Sequence, residues 1–414
     1  MGLIICERVI LFFLALMIFF LPISKAVIEV SASICIVFWV IRLFLILRKE
    51  GKRCLWNKFT HFIKNLSFLD KALIVFVLGS LLSVVFSANV KLSVETFFLK
   101  WLEYILIFII TRDMVNSKFR FSIFIWIVLA SLLFMGIDGV FQIITGYDIF
   151  RHRGMFSGCR VNASFINPND FGSYLITVLP LTLALFFSGV SKNLKVVLSV
   201  MFFIIVSLLL LTFSKSAILA FLAAVVFLGL YTKKRYILFY FIITAILVLV
   251  LPLAFKIPLD FTKRILSFAS DGGAIDRKYL WAAAWRMFMH FPVFGVGLGT
   301  FMQNYQKFWL RPTTEISYAH NCYLQILAET GIIGLAAFLS FLFIWFRNTL
   351  TALFKPSKSF YYFSFVGLST GLIAYLLNSF VDTNFYSLPI ATLFWFILGL
   401  QQAGARLISD ESQR

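Results

Sequence analysis

The residues from Ser317 to Leu335 read SYAHNCYLQILAETGIIGL, in which a polar cluster runs directly into an apolar helix. This order predicts that His320 lies where a membrane helix meets water. Imidazole titrates near neutral pH, so His320 can accept a proton from a substrate hydroxyl while the flanking Tyr318 and Asn321 supply hydrogen bonds. A lone histidine is also an ordinary residue of the membrane interface, and the local sequence leaves this alternative open.

Arg160 begins a second polar stretch, RVNASFINPND, which ends where a long apolar run begins. Asn167, Pro168 and Asn169 in this stretch predict a turn followed by the start of a helix. Lys215 lies in another turn, only a couple of residues long, between two apolar runs. A cation in so tight a turn is expected at membrane level, where it either binds an anion or extends towards lipid headgroups.

The segment IDRKYLWAAAWRMFMHFP predicts a helix that begins near Ile275 and ends at the closing proline. Helical spacing puts Arg277 and Trp281 on a shared face, and it also aligns Trp281, Trp285 and Phe288. We therefore expect an amphipathic helix at the outward-facing membrane interface, with its aromatic side towards lipid. The Gly-x-Gly-x-Gly that follows is predicted to be a turn, because no strand or nucleotide context precedes it.

Membrane helices must position these residues, because the composition excludes a soluble globular domain. Hydrophobic residues make up 61% of the 414 residues, charged residues only 13%, and there are 52 Phe. Soluble domains are nearer half apolar and about a quarter charged. The formal net charge of +19 has to be interpreted through the membrane topology, so it does not predict a nucleic-acid partner.

Twelve apolar runs have the length of a membrane-spanning helix. The first resembles a signal peptide in its Ser-Lys-Ala ending, but the lysine fits a cleavage site poorly and the next run follows at once, so we predict an uncleaved span. The twelve predicted spans cover roughly 8–24, 27–47, 70–86, 95–111, 121–145, 170–188, 194–213, 216–231, 236–255, 320–346, 361–380 and 387–402.

The distribution of lysine and arginine predicts the orientation of the chain. With both termini inside, more than half of the 37 basic residues fall in short inner segments, as the positive-inside rule requires. The loop 256–316 and His320 then face outward, which in a double-membraned bacterium is the periplasm. Basic residues on that outer side have no topological role, and they suit an anionic ligand.

These motifs together resemble the O-antigen ligase superfamily of polytopic glycosyltransferases, which includes O-antigen ligases, polysaccharide polymerases and some protein O-oligosaccharyltransferases. The resemblance covers about residues 160–400 and is strongest at AHNCYLQILAETGIIGL. The family's arginine motif is matched by Arg160 to Asn169, with Ala163 where glycine is usual. Its Ser-Arg turn appears as Ser-Lys at 214–215, which keeps the charge but loses bidentate phosphate geometry. The remaining matches are Arg277, Trp281, Pro292, Gly295, Gly297 and His320.

The resemblance implies an all-α C-type membrane glycosyltransferase fold, with about twelve transmembrane helices and a helical periplasmic loop. It implies an undecaprenyl-diphosphate-linked glycan as donor, and no metal, nucleotide or other cofactor. In such an enzyme Arg160, Lys215 and Arg277 would bind the donor diphosphate in place of a divalent cation. His320 would act as general base in an inverting displacement. Supporting hydrogen bonds are expected from Tyr318, Asn321, Asn167 and Asn169.

Glu329 is a tempting partner for His320, but it lies nine residues further along the same predicted helix. On a regular helix this spacing is half a turn out of phase and about 13 Å deeper. Unless the glycines at 331 and 334 bend the helix severely, we expect Glu329 to be structural and to pair with another group.

The predicted function is O-antigen ligation, which transfers the glycan to a hydroxyl of lipid A-core oligosaccharide during lipopolysaccharide biosynthesis. An O-antigen or capsule polymerase, with a second lipid-linked glycan as acceptor, is the alternative. A lipid-linked oligosaccharide flippase would need charges along its spans rather than on one face. The single large loop between spans nine and ten favours the ligase.

The predicted divisions of the chain are spans one to nine in 1–255, the periplasmic loop in 256–319, and spans ten to twelve with a cytoplasmic tail in 320–414.

The five cysteines show no metal-ligand spacing such as Cys-x-x-Cys. Cys159 adjoins Arg160, and Cys322 follows His320 by two positions. A disulfide between these two cysteines stays open, because the periplasm is oxidising and both cysteines adjoin residues expected in one site.

Overall fold

The computed structural model describes residues 1–50, 66–156, 160–232, 246, 272–310, 317–354, 357 and 359–412. The described residues form helices joined by short connections, and their only β-type pairing is two isolated bridges. The all-α class predicted from the sequence is confirmed. The helices are α1 (Gly2–Phe20), α2 (Lys25–Glu50), α3 (Phe68–Val85), α4 (Val90–Thr96), α5 (Leu102–Met114), α6 (Lys118–Thr145), α7 (Pro168–Phe186), α8 (Lys192–Leu211), α9 (Lys215–Thr232), α10 (Gly272–His290), α11 (Phe301–Phe308), α12 (Cys322–Leu353), α13 (Phe360–Asn378) and α14 (Leu388–Ser412).

Nine of the helices in the described ranges are long and apolar enough to cross a membrane, so the chain is a multi-pass membrane protein. They are α1, α2, α3, α6, α7, α8, α12, α13 and α14. The predicted span 216–231 corresponds to α9, in which the described residues Lys215–Phe227 form an apolar helix. The predicted span 236–255 lies outside the described residues, apart from position 246.

The predicted span 95–111 is helical but irregular. A π-helical turn, Phe97–Trp101, lies between α4 and α5, and the three elements follow one another without a break. A π turn inserts one extra residue into the helical repeat, so it shifts which side chains face the core. A search for apolar runs cannot detect this shift, because it depends on hydrogen bonding and not on hydropathy.

The described chain divides into two compact units. The first unit consists of Met1–Met17, Ala26–Val115 and Asp276–Lys355, and the second consists of Ile18–Lys25, Asn116–Ile275 and Pro356–Arg414. Each unit is therefore assembled from segments that are distant in sequence. The predicted linear division into 1–255, 256–319 and 320–414 stays a prediction.

In the first unit, α3 packs against α12. Gly79 allows close approach, since a Cβ atom there would lie 3.6 Å from the Gly334 backbone, and the Phe76 and Phe338 rings lie 5.1 Å apart. Small residues at such crossings are typical of helix packing in membranes. On other helices of this unit, Arg42 of α2 forms ion pairs with carboxylates on α1 and α5.

In the second unit, α7 forms the centre and is buried along most of its length. It packs closely against α13, where a Cβ atom on Gly371 would overlap the Thr177 carbonyl group. Hydrogen bonds between side chains join the same helices, because Asn378 Nδ2 donates to Ser173 Oγ at 2.8 Å. This close crossing holds the start of α7, and with it Asn167 and Asn169, in a defined position.

Candidate functional site

His320 lies in the described segment 317–321, immediately before α12, as the sequence predicted. Its φ angle is 47°, which places a non-glycine residue in the left-handed region at a cost of about 1–2 kcal/mol. Its ring Nε2 lies 3.2 Å from Ser317 Oγ. Asn321 caps the helix, because its Oδ1 accepts hydrogen bonds from Tyr323 N and Leu324 N, each at 3.0 Å. The segment is therefore an ordered turn that holds the histidine in a strained conformation, a feature that clusters at functional sites.

Tyr318 is half-buried in the same turn. Burial raises the pKa of its phenol above the ordinary value, and the nearby negative charge of Glu329 raises that pKa further. Tyr318 therefore stays protonated at neutral pH and can donate a hydrogen bond, as the sequence analysis requires of a supporting residue.

Helix α12 is broken at Gly331, whose φ and ψ angles are 64° and −166°. A helix break leaves backbone groups without their usual partners. The glycine-rich loop 292–299 supplies partners, since Val296 N donates to Ala328 O at 2.9 Å and Gly297 N donates to Glu329 O at 3.0 Å. The glycines of this loop have positive φ angles, as a turn requires and as the sequence predicted.

Glu329 is fully buried, and its carboxylate accepts hydrogen bonds from three N–H groups. Gly299 N donates at 2.9 Å, Phe301 N at 3.4 Å and Gln325 Nε2 at 3.2 Å. The break at Gly331 comes after Glu329 in the sequence. It therefore does not rotate Glu329 around the helix axis towards the side of His320. These contacts agree with the structural role that the sequence predicts for Glu329.

Helix α10 contains Arg277, which is half-buried one turn before Leu280. The helix buries a face of small and apolar residues against a cluster that includes Ala319, the residue before His320. The opposite face carries Trp285, which is 51% exposed. The aromatic face was predicted from the sequence, but the buried face was not, although its apolar residues are spaced by three, four and seven positions, as on one face of a helix. The buried face consists of Leu280, Ala283, Ala284 and Met287.

Arg160 belongs to the second unit, and its guanidinium group donates hydrogen bonds to two neighbouring oxygens. Its Nε donates to Thr212 O and its Nη2 donates to Asn169 Oδ1, both at 2.7 Å. Lys215 begins α9 three residues after Thr212. The fold therefore brings together Arg160, Asn169 and the lysine turn. Asn167 caps α7 and accepts from Asn169 N at 2.8 Å, so it supports Asn169.

Two further left-handed residues lie beside these groups. Phe213 has a φ angle of 52° just before the Ser-Lys turn, and Ala163 has a φ angle of 46° three residues after Arg160. A glycine at this position, as in the family motif that this stretch resembles, would adopt the left-handed angle of Ala163 without strain. The strain falls next to Arg160 and Lys215, as it falls on His320 in the first unit.

Helix α6 supports the stretch that follows Arg160, and this support was not predicted from the sequence. Gln142 Oε1 accepts from Ala163 N at 2.8 Å, and Asp138 Oδ2 accepts from Ser164 Oγ at 2.6 Å. Both residues are buried. Their position as isolated polar residues in an apolar span could have indicated this role, since such residues rarely face lipid and usually contact other parts of the protein.

The disulfide that the sequence left open stays untested. Cys322 is buried at the start of α12, but Cys159 lies outside the described residues.

Comparison with known proteins adds an independent finding. A family model described as O-Antigen ligase matches residues 200–339. This range includes Lys215, Arg277 and His320, while Arg160 precedes it. No curated protein matches the chain significantly. The matched region of the chain is therefore similar to O-antigen ligases and supports the resemblance to the O-antigen ligase superfamily, in agreement with the membrane helices.

Proposed function

We propose that this protein is an O-antigen ligase of the bacterial inner membrane. It transfers a glycan from undecaprenyl diphosphate to a hydroxyl of lipid A-core oligosaccharide, with inversion and without a metal ion. The observation that carries the proposal is the strained, ordered turn around His320 within the family-matched region. A histidine held at the outer end of a membrane helix can reach a hydroxyl acceptor that is presented from the aqueous side.

In this proposal, His320 takes the proton from the acceptor hydroxyl as that oxygen attacks the anomeric carbon. The bond between the anomeric carbon and the diphosphate oxygen breaks on the opposite side, so the configuration inverts. The electron pair leaves with undecaprenyl diphosphate. Tyr318 and Asn321 support the turn that presents the imidazole, and Asn321 does so as the helix cap.

Arg160, Lys215 and Arg277 bind the donor diphosphate and stabilise the negative charge that develops on it. Preorganised cations are most effective in this role because they need no reorganisation during the reaction. The hydrogen bonds of Arg160 to Thr212 O and Asn169 Oδ1 provide such preorganisation. The same assignment explains why basic residues lie on the predicted outer side, where the positive-inside rule does not call for them.

The proposed orientation has both termini in the cytoplasm and the reacting groups facing the periplasm. Its support is the excess of basic residues in the short segments assigned to the inner side.

A reconstituted transfer assay tests the function. The purified protein in lipid nanodiscs is supplied with undecaprenyl-diphosphate-linked glycan, together with lipid A-core as acceptor or with no added acceptor. The expected product is glycan joined to lipid A-core. An elongated lipid-linked glycan would instead identify a polymerase, and the absence of any new glycosidic bond under both conditions would overturn the assignment to glycosyl transfer.

Lys215→Ala should lower kcat/KM for the donor by about 10–100-fold, because a charge-assisted hydrogen bond to a phosphate oxygen is lost. Lys215→Arg should be tolerated or should improve donor use, since a guanidinium contacts two oxygens. Initial rates at varied donor concentration measure both effects.

Lys192→Ala is the matched control for the lysine variants. Lys192 is an exposed lysine at the start of α8, at the end that we assign to the cytoplasm. This variant makes the same change of charge and should leave donor kinetics unchanged. Wild-type kinetics in Lys215→Ala would show that the turn lysine only extends to the headgroups.

A further inference from the structure

Two buried polar side chains connect the His320 turn to the glycine-rich loop. Ala319 N donates to Gln325 Oε1 at 3.0 Å, and Gln325 Nε2 donates to Glu329 Oε1 at 3.2 Å. Glu329 Oε2 in turn accepts from Gly299 N at 2.9 Å. Both side chains are fully buried, so water cannot replace these bonds.

The polarity of this chain of hydrogen bonds is determined at both ends. Ala319 N–H can only donate, and the carboxylate of Glu329 can only accept. The amide of Gln325 lies between them and therefore has one allowed orientation, with its oxygen towards Ala319 and its nitrogen towards Glu329. Glu329 thus holds the Gln325 amide in the one orientation that accepts from Ala319 N.

The histidine turn depends on such support because its conformation is unfavourable. His320 has a φ angle of 47°, which relaxes to the common regions unless its neighbours are held. The bond from Ala319 N holds the residue before it. On the other side, Asn321 is held as the cap of α12. Loss of the Ala319 bond would free one side of His320 and let the imidazole move.

Glu329 is also anchored on the side away from the histidine. It accepts from Gly299 N and Phe301 N at the start of α11, where the helix dipole favours a negative charge. The carboxylate therefore has a fixed position from which it can orient Gln325.

We propose that Gln325 and Glu329 are positioning residues for His320, and that Glu329 acts through the amide orientation of Gln325. This inference rests on the proposed role of His320 as general base. Neither side chain contacts the substrate. They act by holding the Ala319 N–H, and with it the strained histidine, in the geometry needed for proton transfer.

Exchange of the two side chains tests the proposal, because Gln and Glu have nearly the same shape. Glu329→Gln replaces one accepting oxygen with an NH₂ group. Because every neighbour of this side chain donates, two N–H donors then face each other in the series of hydrogen bonds. Gln325→Glu places two carboxylates opposite one another. The double variant Q325E/E329Q restores a donor and an acceptor at the central contact, leaves one oxygen to accept from Ala319 N and another to accept from Gly299 N, and loses only the 3.4 Å bond from Phe301 N.

Each single variant should lower kcat by about 10–100-fold with little change in the donor KM, since misplacement of a reacting group by about 1 Å costs rates of this order. The double variant should recover most of the lost kcat. A merely structural role for the pair would not produce this recovery together with an unchanged KM.

A second measurement does not depend on substrate. Diethyl pyrocarbonate modifies exposed imidazoles, and peptide mass spectrometry gives the modification rate of His320 relative to that of His290, an exposed histidine at the end of α10. Each single variant should change this ratio, and the double variant should restore it.

The two measurements separate the possible failures. If wild-type protein transfers no glycan, the proposed function fails, but the modification ratio still decides the positioning role. If single variants keep the wild-type ratio and kcat, the positioning role is overturned. A single variant that does not fold leaves the decision to the double variant, which must fold and match the wild-type ratio. A double variant that misfolds or has an altered ratio overturns the proposal.

Discussion

His320→Ala should lower the rate of glycan transfer by about 10²–10⁴-fold, which is the usual contribution of a general base. The acceptor hydroxyl is a poor nucleophile until its proton is removed, and alanine cannot accept that proton. Expression and membrane insertion should be unchanged, because the turn retains the Asn321 cap and the bond from Ala319 N to Gln325. Initial rates of purified protein on a lipid-linked donor measure the effect.

His290→Ala is the matched control for this variant. His290 is exposed at the end of α10, in the same unit as His320, and the proposal gives it no role. Its replacement should leave the rate near that of the wild type. If His320→Ala also transferred glycan at a near-normal rate, His320 would be an ordinary interfacial residue, and the assignment of the base would be withdrawn.

Gly331→Ala should destabilise the protein by more than about 4 kcal/mol, at the upper end of single-substitution effects. Two causes add together at this position. The φ angle of 64° strains any residue with a Cβ atom, and that Cβ atom would overlap the backbone carbonyl of Val293. Relief of the overlap would separate the glycine-rich loop from the broken helix, and the bonds of Val296 N and Gly297 N to α12 would be lost.

Gly146→Ala separates the two causes. Gly146 ends α6 with a φ angle of 84°, and a Cβ atom there would have no other atom within 4 Å. It therefore tests the left-handed angle alone, which costs about 1–2 kcal/mol. Thermal unfolding followed by fluorescence-detected size exclusion compares the two variants. Equal stability of Gly331→Ala and Gly146→Ala would contradict the close approach of Val293.

The membrane class and most spans follow from local sequence. Backbone groups in a bilayer must be satisfied within their own segment, so a long apolar run has few alternatives to a helix. The start of α12 is equally local, because Asn321 caps a helix whose first residues follow it directly. The position of His320 at a helix start therefore needed no tertiary information.

The irregular parts of the helices were less predictable. The π turn Phe97–Trp101 and the break at Gly331 depend on hydrogen bonds that apolar composition does not encode. Glycine at 331 permits a helix break, but glycines also occur in regular membrane helices. The presence of this glycine alone therefore did not predict a break.

The sequence by itself determined which residues are candidates for the chemistry: a histidine before a membrane helix, and three cations on one side of the predicted membrane. Only the tertiary structure decided what holds them. Arg160 donates to the carbonyl of Thr212, 52 residues away, and Glu329 accepts from Gly299, 30 residues away. Such partners are chosen by helix packing, and many polar residues in the chain satisfy the same hydrogen-bonding rules. The donors and acceptors can be counted in the sequence, but their pairing exists only once the helices have packed.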